Sequence, residues 1–167
     1  LAGIAPGTFS SDPMAHTIVW DLRLHRVLFA LVAGFGLAVA GAVMQGVLRN
    51  PLASPFTLGI ASAASFGAAL AIIVIPAVVF SDTLVVISAF TMSLLAAGAI
   101  YGLSRIRGVS SESMVLAGII LMYLFGAMTS FLQYAGTTEQ LQAVVFWMFG
   151  SLQRTSWEKL ALVSIVV

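Results

Sequence analysis

Side chains able to act as acids, bases, nucleophiles or metal ligands are few in this sequence, and they sit where they can do little chemistry. Cysteine is absent, which removes disulfides, thiolate metal sites and cysteine nucleophiles. His16 and His25 are the only histidines, and both lie outside the long apolar stretches. No phosphate-cradling glycine loop closed by Gly-Lys-Ser or Gly-Lys-Thr occurs. Within the apolar stretches the polar groups are all uncharged: Gln45, Ser62, Ser65, Ser88, Thr91, Ser93, Thr129, Ser130 and Gln133. A charge at the centre of a bilayer costs about 2.5 to 3.5 kcal/mol, so proteins place one there mainly to couple protons or ions. Its absence weighs against a proton-coupled transporter and against an intramembrane hydrolase. The sequence therefore offers no catalytic residue and no metal site, and any transport it serves draws energy from another subunit. Gln45 and Gln133 are expected to bond between helices, with pore lining as the alternative.

The elements that must hold these residues follow from composition. Hydrophobic residues make up 60% of the chain and charged ones 8%, with a mean hydropathy of +1.10, so no soluble domain can cover itself with charge. A helix crosses a hydrocarbon core of roughly 30 Å with about 20 apolar residues. Four stretches qualify, at 27–48, 58–80, 83–103 and 114–134, and a further one begins near Trp157 and is cut off by the chain end. Backbone amides in lipid must be satisfied within the segment, and these runs are too long for barrel strands, so the fold class is an all-α polytopic transmembrane bundle. Pro76 is expected to kink the second span. With Leu1 in place of methionine and an apolar run at the end, the chain reads as part of a longer membrane protein. There is no basic tract for nucleic acid. Arg49, Arg105 and Arg107 fall in one set of alternate loops and Arg23, Arg26, Arg154 and Lys159 in the other, so charge alone leaves the orientation open.

Two patterns stand out. Ala30, Gly34, Ala38, Ala42 and Gly46 place a small residue at every fourth position of the first span, and Gly59, Ala63, Gly67 and Ala71 do so in the second. Such ridges let helix backbones approach closely in lipid, although glycine and alanine are also common in membrane helices generally. Between the two spans lies "LRNPLASPFTLG", where Arg49, Asn50, Pro51 and Pro55 make a polar turn.

Residues 22–67, "LRLHRVLFALVAGFGLAVAGAVMQGVLRNPLASPFTLGIASAASFG", resemble the FecCD family of ABC-importer permeases, which take up iron siderophores, haem and vitamin B12. Residues 114–157, with "MVLAGIILMYLFG" followed by "FWMFG" and Trp157, are similar to that family's next helix and its tryptophan-methionine segment. The resemblance implies about ten helices per subunit, of which this chain would hold the second to the fifth and the start of the sixth. It also implies a second permease subunit, identical or not, two cytoplasmic ATPases that carry ATP and magnesium, and an extracytoplasmic binding protein. The chain itself would need no cofactor, and its place would be the bacterial cytoplasmic membrane.

The same resemblance assigns the segments. Residues 1–26 would lie outside, where Arg23 and Arg26 match arginines that receive acidic side chains of the docked binding protein; His25 stands where the family carries proline, which would loosen the helix entry. A snorkelling pair at the headgroups, or a local partner in Asp21, is the alternative. "RNPLASP" would be a cytoplasmic turn, and Ser110, Ser111 and Glu112 would lie near a cytoplasmic gate, with helix capping by the serines equally open. Residues 135–156 are expected to form a short interfacial helix ending at Gly150, with Val144, Val145, Trp147 and Met148 on its apolar face. Trp147 and Trp157 would sit at headgroup depth, with Arg154 a weaker candidate for partner contact. The function implied is a permease passing an iron-siderophore or related metal chelate; a structural or assembly subunit without its own path is the alternative.

Overall fold

A computed structural model describes residues 18–75, 81–106, 109–152 and 155–167. Pro76 and its expected kink, Arg107 and Arg154 lie outside the described residues. The fold is an all-α membrane helical bundle. A π-helical turn, Ile18–Leu24, leads into α1 (His25–Leu48); α2 is Ile60–Val74, α3 Asp82–Ser104, α4 Ser111–Ala135, α5 Thr138–Phe149 and α6 Trp157–Val166. The run Ile18–Leu48, α3 and α4 are each long and apolar enough to cross a membrane. The described part of α2 has 15 residues, about 22 Å at 1.5 Å per residue.

The helix starts follow from local chemistry. Ser81, Ser110, Thr137 and Ser156 each accept a backbone N–H in the first turn of the helix that follows, at α3, α4, α5 and α6. Each satisfies a donor that a helix N-terminus leaves unpaired. α2 begins differently, after Gly59 at φ 75, and its Ala63 N–H bonds back to the Gly59 carbonyl at 2.9 Å. At its other end Ile75 is extended, with ψ 128, the conformation forced on a residue that precedes proline.

The described residues fall into two compact units. In the larger, Ala40–Gly150, α2 packs against α3, α4 and α5. Its small ridge is the reason. A Cβ placed on Gly67 would lie 2.5 Å from the Ser88 carbonyl oxygen and 2.9 Å from the Ala89 Cα, so the α2 and α3 backbones touch where only hydrogen fits. Ser88 Oγ then donates to the Gly67 carbonyl at 2.7 Å. Gly59 meets the Gly118 carbonyl and the Met122 amide in the same way, each at 2.9 Å from its virtual Cβ. Farther along, Phe66 packs on Phe125 with centroids 5.7 Å apart, and Gly136 sits against Ile73. These three contacts ascend together in both segments, so α2 and α4 run parallel. Around them lies an apolar cluster of Ala68, Ala69, Ala71, Ile72, Val85, Ala89 and Val144.

The smaller unit joins the segment before residue 40 to Ser151–Val167. His25 packs on Trp157 with centroids 6.0 Å apart, and Gly36 faces the Val167 side chain. Both pairs ascend, so α6 runs parallel to the first half of α1.

The two ridges thus meet different surroundings. Gly59, Ala63, Gly67 and Ala71 are buried, whereas Ala30, Gly34, Ala38, Ala42 and Gly46 are all exposed in this chain. A Cβ on Gly67 has backbone on its far side and nowhere to go, so Gly67→Ala is expected to lower the stability of the full-length protein in detergent by about 1 to 3 kcal/mol. Unfolding monitored by circular dichroism checks this, and an unchanged midpoint would show that α2 and α3 do not depend on the contact.

Candidate functional site

The polar turn after α1 is built from its own side chains and backbone. Arg49 has φ 49, the left-handed region that glycine usually occupies at a helix end. Its N–H bonds to the Gly46 carbonyl at 3.4 Å and the Asn50 N–H to the Gln45 carbonyl at 3.2 Å, the paired bonds of a Schellman stop. Asn50 Oδ1 accepts the Leu52 N–H at 2.9 Å, which turns the chain, and Pro51 fixes the backbone between them. Ser54 and Thr57 exchange side-chain and backbone bonds at 2.9 and 3.1 Å around Pro55. Gln45, expected to bond between helices, instead donates from Nε2 to the Pro51 carbonyl at 2.9 Å. The turn lies within its reach, which a reading of span positions could not show.

One face of this turn is packed and the other is open. Leu48, Ala53 and Leu58 are buried together, with Met44, Ile60, Met114 and Val115 against them. Leu52 is 79% exposed and Phe56 65%. Because Met114 and Val115 belong to the first turns of α4, the structure brings the turn beside the start of that helix. There Ser110 Oγ accepts the Ser113 N–H at 3.3 Å and caps α4; Ser111 is half-buried, and Glu112 is exposed in the first turn. At the end of α3, the Arg105 guanidinium lies 4.9 Å over the Tyr101 ring and bonds its hydroxyl, a cation held on an aromatic face.

Arg23 and Arg26 belong to the smaller unit. Arg23 is exposed in the π-helical turn and Arg26 half-buried in the first turn of α1. His25 between them is 4% exposed and lies against Trp157. Histidine keeps the backbone N–H that proline lacks, and the helical path runs on through it into the π-turn.

One residue with a clear role escaped the sequence reading, and one that it singled out has a backbone conformation it did not foresee. Gln140 closes a capping box with Thr137 and also reaches the end of α2. Thr-x-x-Gln before an apolar run signals the first role but gives no sign of the second. Arg49 adopts a conformation in which its residue type is uncommon, and no sequence signal marks that.

Comparison with known proteins identifies relatives of the chain as a whole. The model of the FecCD transport family matches residues 3–167. The molybdate import system permease protein MolB of Haemophilus influenzae is 38% identical over 152 residues, covering 89% of this chain and 44% of that protein. The hemin transport system permease protein HmuU of Yersinia pestis is 38% identical over 167 residues, covering 96% and 48%. A solved inward-facing conformation of an ABC transporter, assigned to the metal-chelate type, superposes with a TM-score of 0.78 at 36% identity, covering 90% of this chain and 47% of that one. The chain spans about half the length of the relatives it matches.

Left-handed backbone costs an L-residue roughly 1 to 2 kcal/mol that glycine escapes. Arg49→Gly is therefore expected to raise the thermal midpoint in detergent and Arg49→Val to lower it, read by the same unfolding assay. A lowered midpoint for the glycine variant would mean that contacts of the arginine side chain outweigh the strain.

Proposed function

The chain belongs to the FecCD transport family, and we propose on that ground that it forms part of the path by which an ATP-driven importer passes a metal chelate across the membrane. As an ABC permease subunit it catalyses no reaction and carries no cofactor. Its work in this reading is conformational: a second permease subunit completes the path, two cytoplasmic ATPases bind and hydrolyse ATP with magnesium, and an extracytoplasmic binding protein delivers the cargo. The observation that carries the reading is the family match across nearly the whole chain. It is supported by apolar helices whose polar groups beyond the first turn are uncharged amides and hydroxyls.

The cargo proposed is an iron siderophore or a related chelate. A relative named for hemin and a structure assigned to the metal-chelate type support that class over an amino acid or a sugar, and the relative named for molybdate makes an oxyanion the rival cargo. Arg23 and Arg26 take the docking role. A guanidinium forks onto a carboxylate and stays charged at any relevant pH, which suits capture of acidic side chains. The parallel start of α6 puts Glu158 and Lys159 at the same end of that unit as these arginines. The turn at Arg49, Asn50, Pro51 and Pro55 takes the cytoplasmic side. Ser110, Ser111 and Glu112 take a place at the inner gate, where capping by Ser110 leaves a small side chain at the helix tip.

Charge reversal tests the docking role in the full-length permease, assembled with its ATPase in proteoliposomes. Arg23→Glu with Arg26→Glu is expected to weaken the binding protein by about 2 to 5 kcal/mol if the pairs are desolvated, and by much less if they lie at a rim. ATP-dependent uptake of radio-labelled ferric siderophore should fall with it. An unchanged affinity, measured by surface plasmon resonance, would remove the arginines from the docking site. Uptake of molybdate but of no iron chelate would replace the cargo.

A further inference from the structure

One side chain in the larger unit does two jobs, and only one of them is explained by its own helix. Gln140 Oε1 accepts the Thr137 backbone N–H at 3.0 Å while Thr137 Oγ1 accepts the Gln140 N–H at 3.3 Å, which starts α5. A glutamate would complete that box as well. The other end of the amide, Nε2, donates to the carbonyls of Ile72 and Ile73, each at 3.3 Å. These carbonyls lie at the C-terminus of α2, where a helix runs out of donors. For Ile72 the shortage is written into the sequence: the residue four positions on is Pro76, which has no N–H to give. An acceptor left bare in apolar surroundings is costly, so the donor must come from elsewhere.

We propose that Gln140 is a positioning residue that latches α5 to α2, its amide supplying the donor that Pro76 lacks, so that the two helices move as one part. The surrounding contacts agree with a latch. Val144, one turn along α5, is fully buried in the cluster formed with Ala68, Ala69, Ala71 and Ile72 of α2. Gly136, just before α5, lies against the Ile73 side chain, its virtual Cβ 3.4 Å from Cγ1. Without the amide N–H donor, α5 keeps its cap and this apolar contact but loses its directional bond to α2. That the pair moves as one during transport rests on the function proposed above; the latch itself does not.

The test uses the full-length protein in proteoliposomes, in a background freed of other cysteines, with Ile73→Cys and Gly136→Cys introduced as a reporter pair. The rate of disulfide formation on adding an oxidant is read at pH 8, where an introduced carboxylate is ionised. Gln140→Glu keeps the capping box and turns the donor into an acceptor facing two carbonyls, so cross-linking is expected to slow by about fivefold or more. Thr137→Ala loses the cap and keeps the donor, so it is expected to stay within about twofold of the parent. A parent-like or faster rate for Gln140→Glu overturns the latch, and so does an equal slowing by Thr137→Ala, which would make the cap the holding element. ATP-dependent uptake of ferric siderophore is followed in the same vesicles. If the parent takes up nothing, the functional reading fails while the cross-linking comparison still decides the latch.

Discussion

Inside an apolar medium no hydrophobic effect presses helices together, so α2 depends on how closely its backbone can approach its neighbours. Dispersion falls steeply with distance, and a side chain as small as a methyl group would hold the α2 and α3 axes apart at Gly67. Glycine at that one position lets the backbones touch. The touch then lets Ser88 reach across to the Gly67 carbonyl. The contact at Gly59 with the Gly118 backbone does the same for α4. Two close approaches on different faces leave α2 little freedom to rotate or slide, and Phe66 on Phe125 fills the space between α2 and α4. The polar residues and turns are positioned by that frame.

The second requirement of the medium is that no polar group be left bare. Most hydroxyls meet it locally. Ser65, Thr91, Thr129 and Ser130 donate to the carbonyl four residues back, and Ser93 to the one three back. A hydroxyl bonded in this way spends its donor within its own helix and leaves no bare O–H facing the apolar surroundings. Polar groups that bridge separate segments, such as Ser88 and Gln140, act on the protein itself.

Much of this architecture could be read from residue types, because the physics behind it is local. Apolar length marks a membrane helix whatever its neighbours are, and a serine or threonine ahead of such a run marks its start, as Ser81 and Ser110 do. What the sequence leaves out is the partner. The ridges of α1 and α2 have the same spacing and the same residue types, yet one is exposed in this chain and the other is buried against backbone. A ridge records that close approach is allowed and not which helix makes it. Gln45 shows the same limit, since an amide near a helix end can reach either a neighbouring helix or the turn that follows, and only the path of that turn decides. The contact of Gln140 with Ile72 spans 68 residues, with the whole of α3 and α4 between them in the chain, so no local pattern can announce it.

Arg49 shows how competing costs of similar size can be ranked. Its left-handed backbone costs roughly 1 to 2 kcal/mol, and the favourable placement of a cation at a helix C-terminus returns about 0.3 to 1 kcal/mol. On those two effects glycine would be the better residue. A third effect is larger. Drawing an arginine toward the bilayer centre costs about 2.5 to 3.5 kcal/mol by insertion scales, whereas glycine would offer no comparable resistance. In a membrane the charge therefore fixes the depth at which α1 ends, and with it the level of the turn whose Ala53 and Leu58 share a buried cluster with Met114 of α4. The charge of one residue sets the height of a joint between three helices, a constraint that disappears in detergent, where depth has no meaning, and leaves only the strain to be measured.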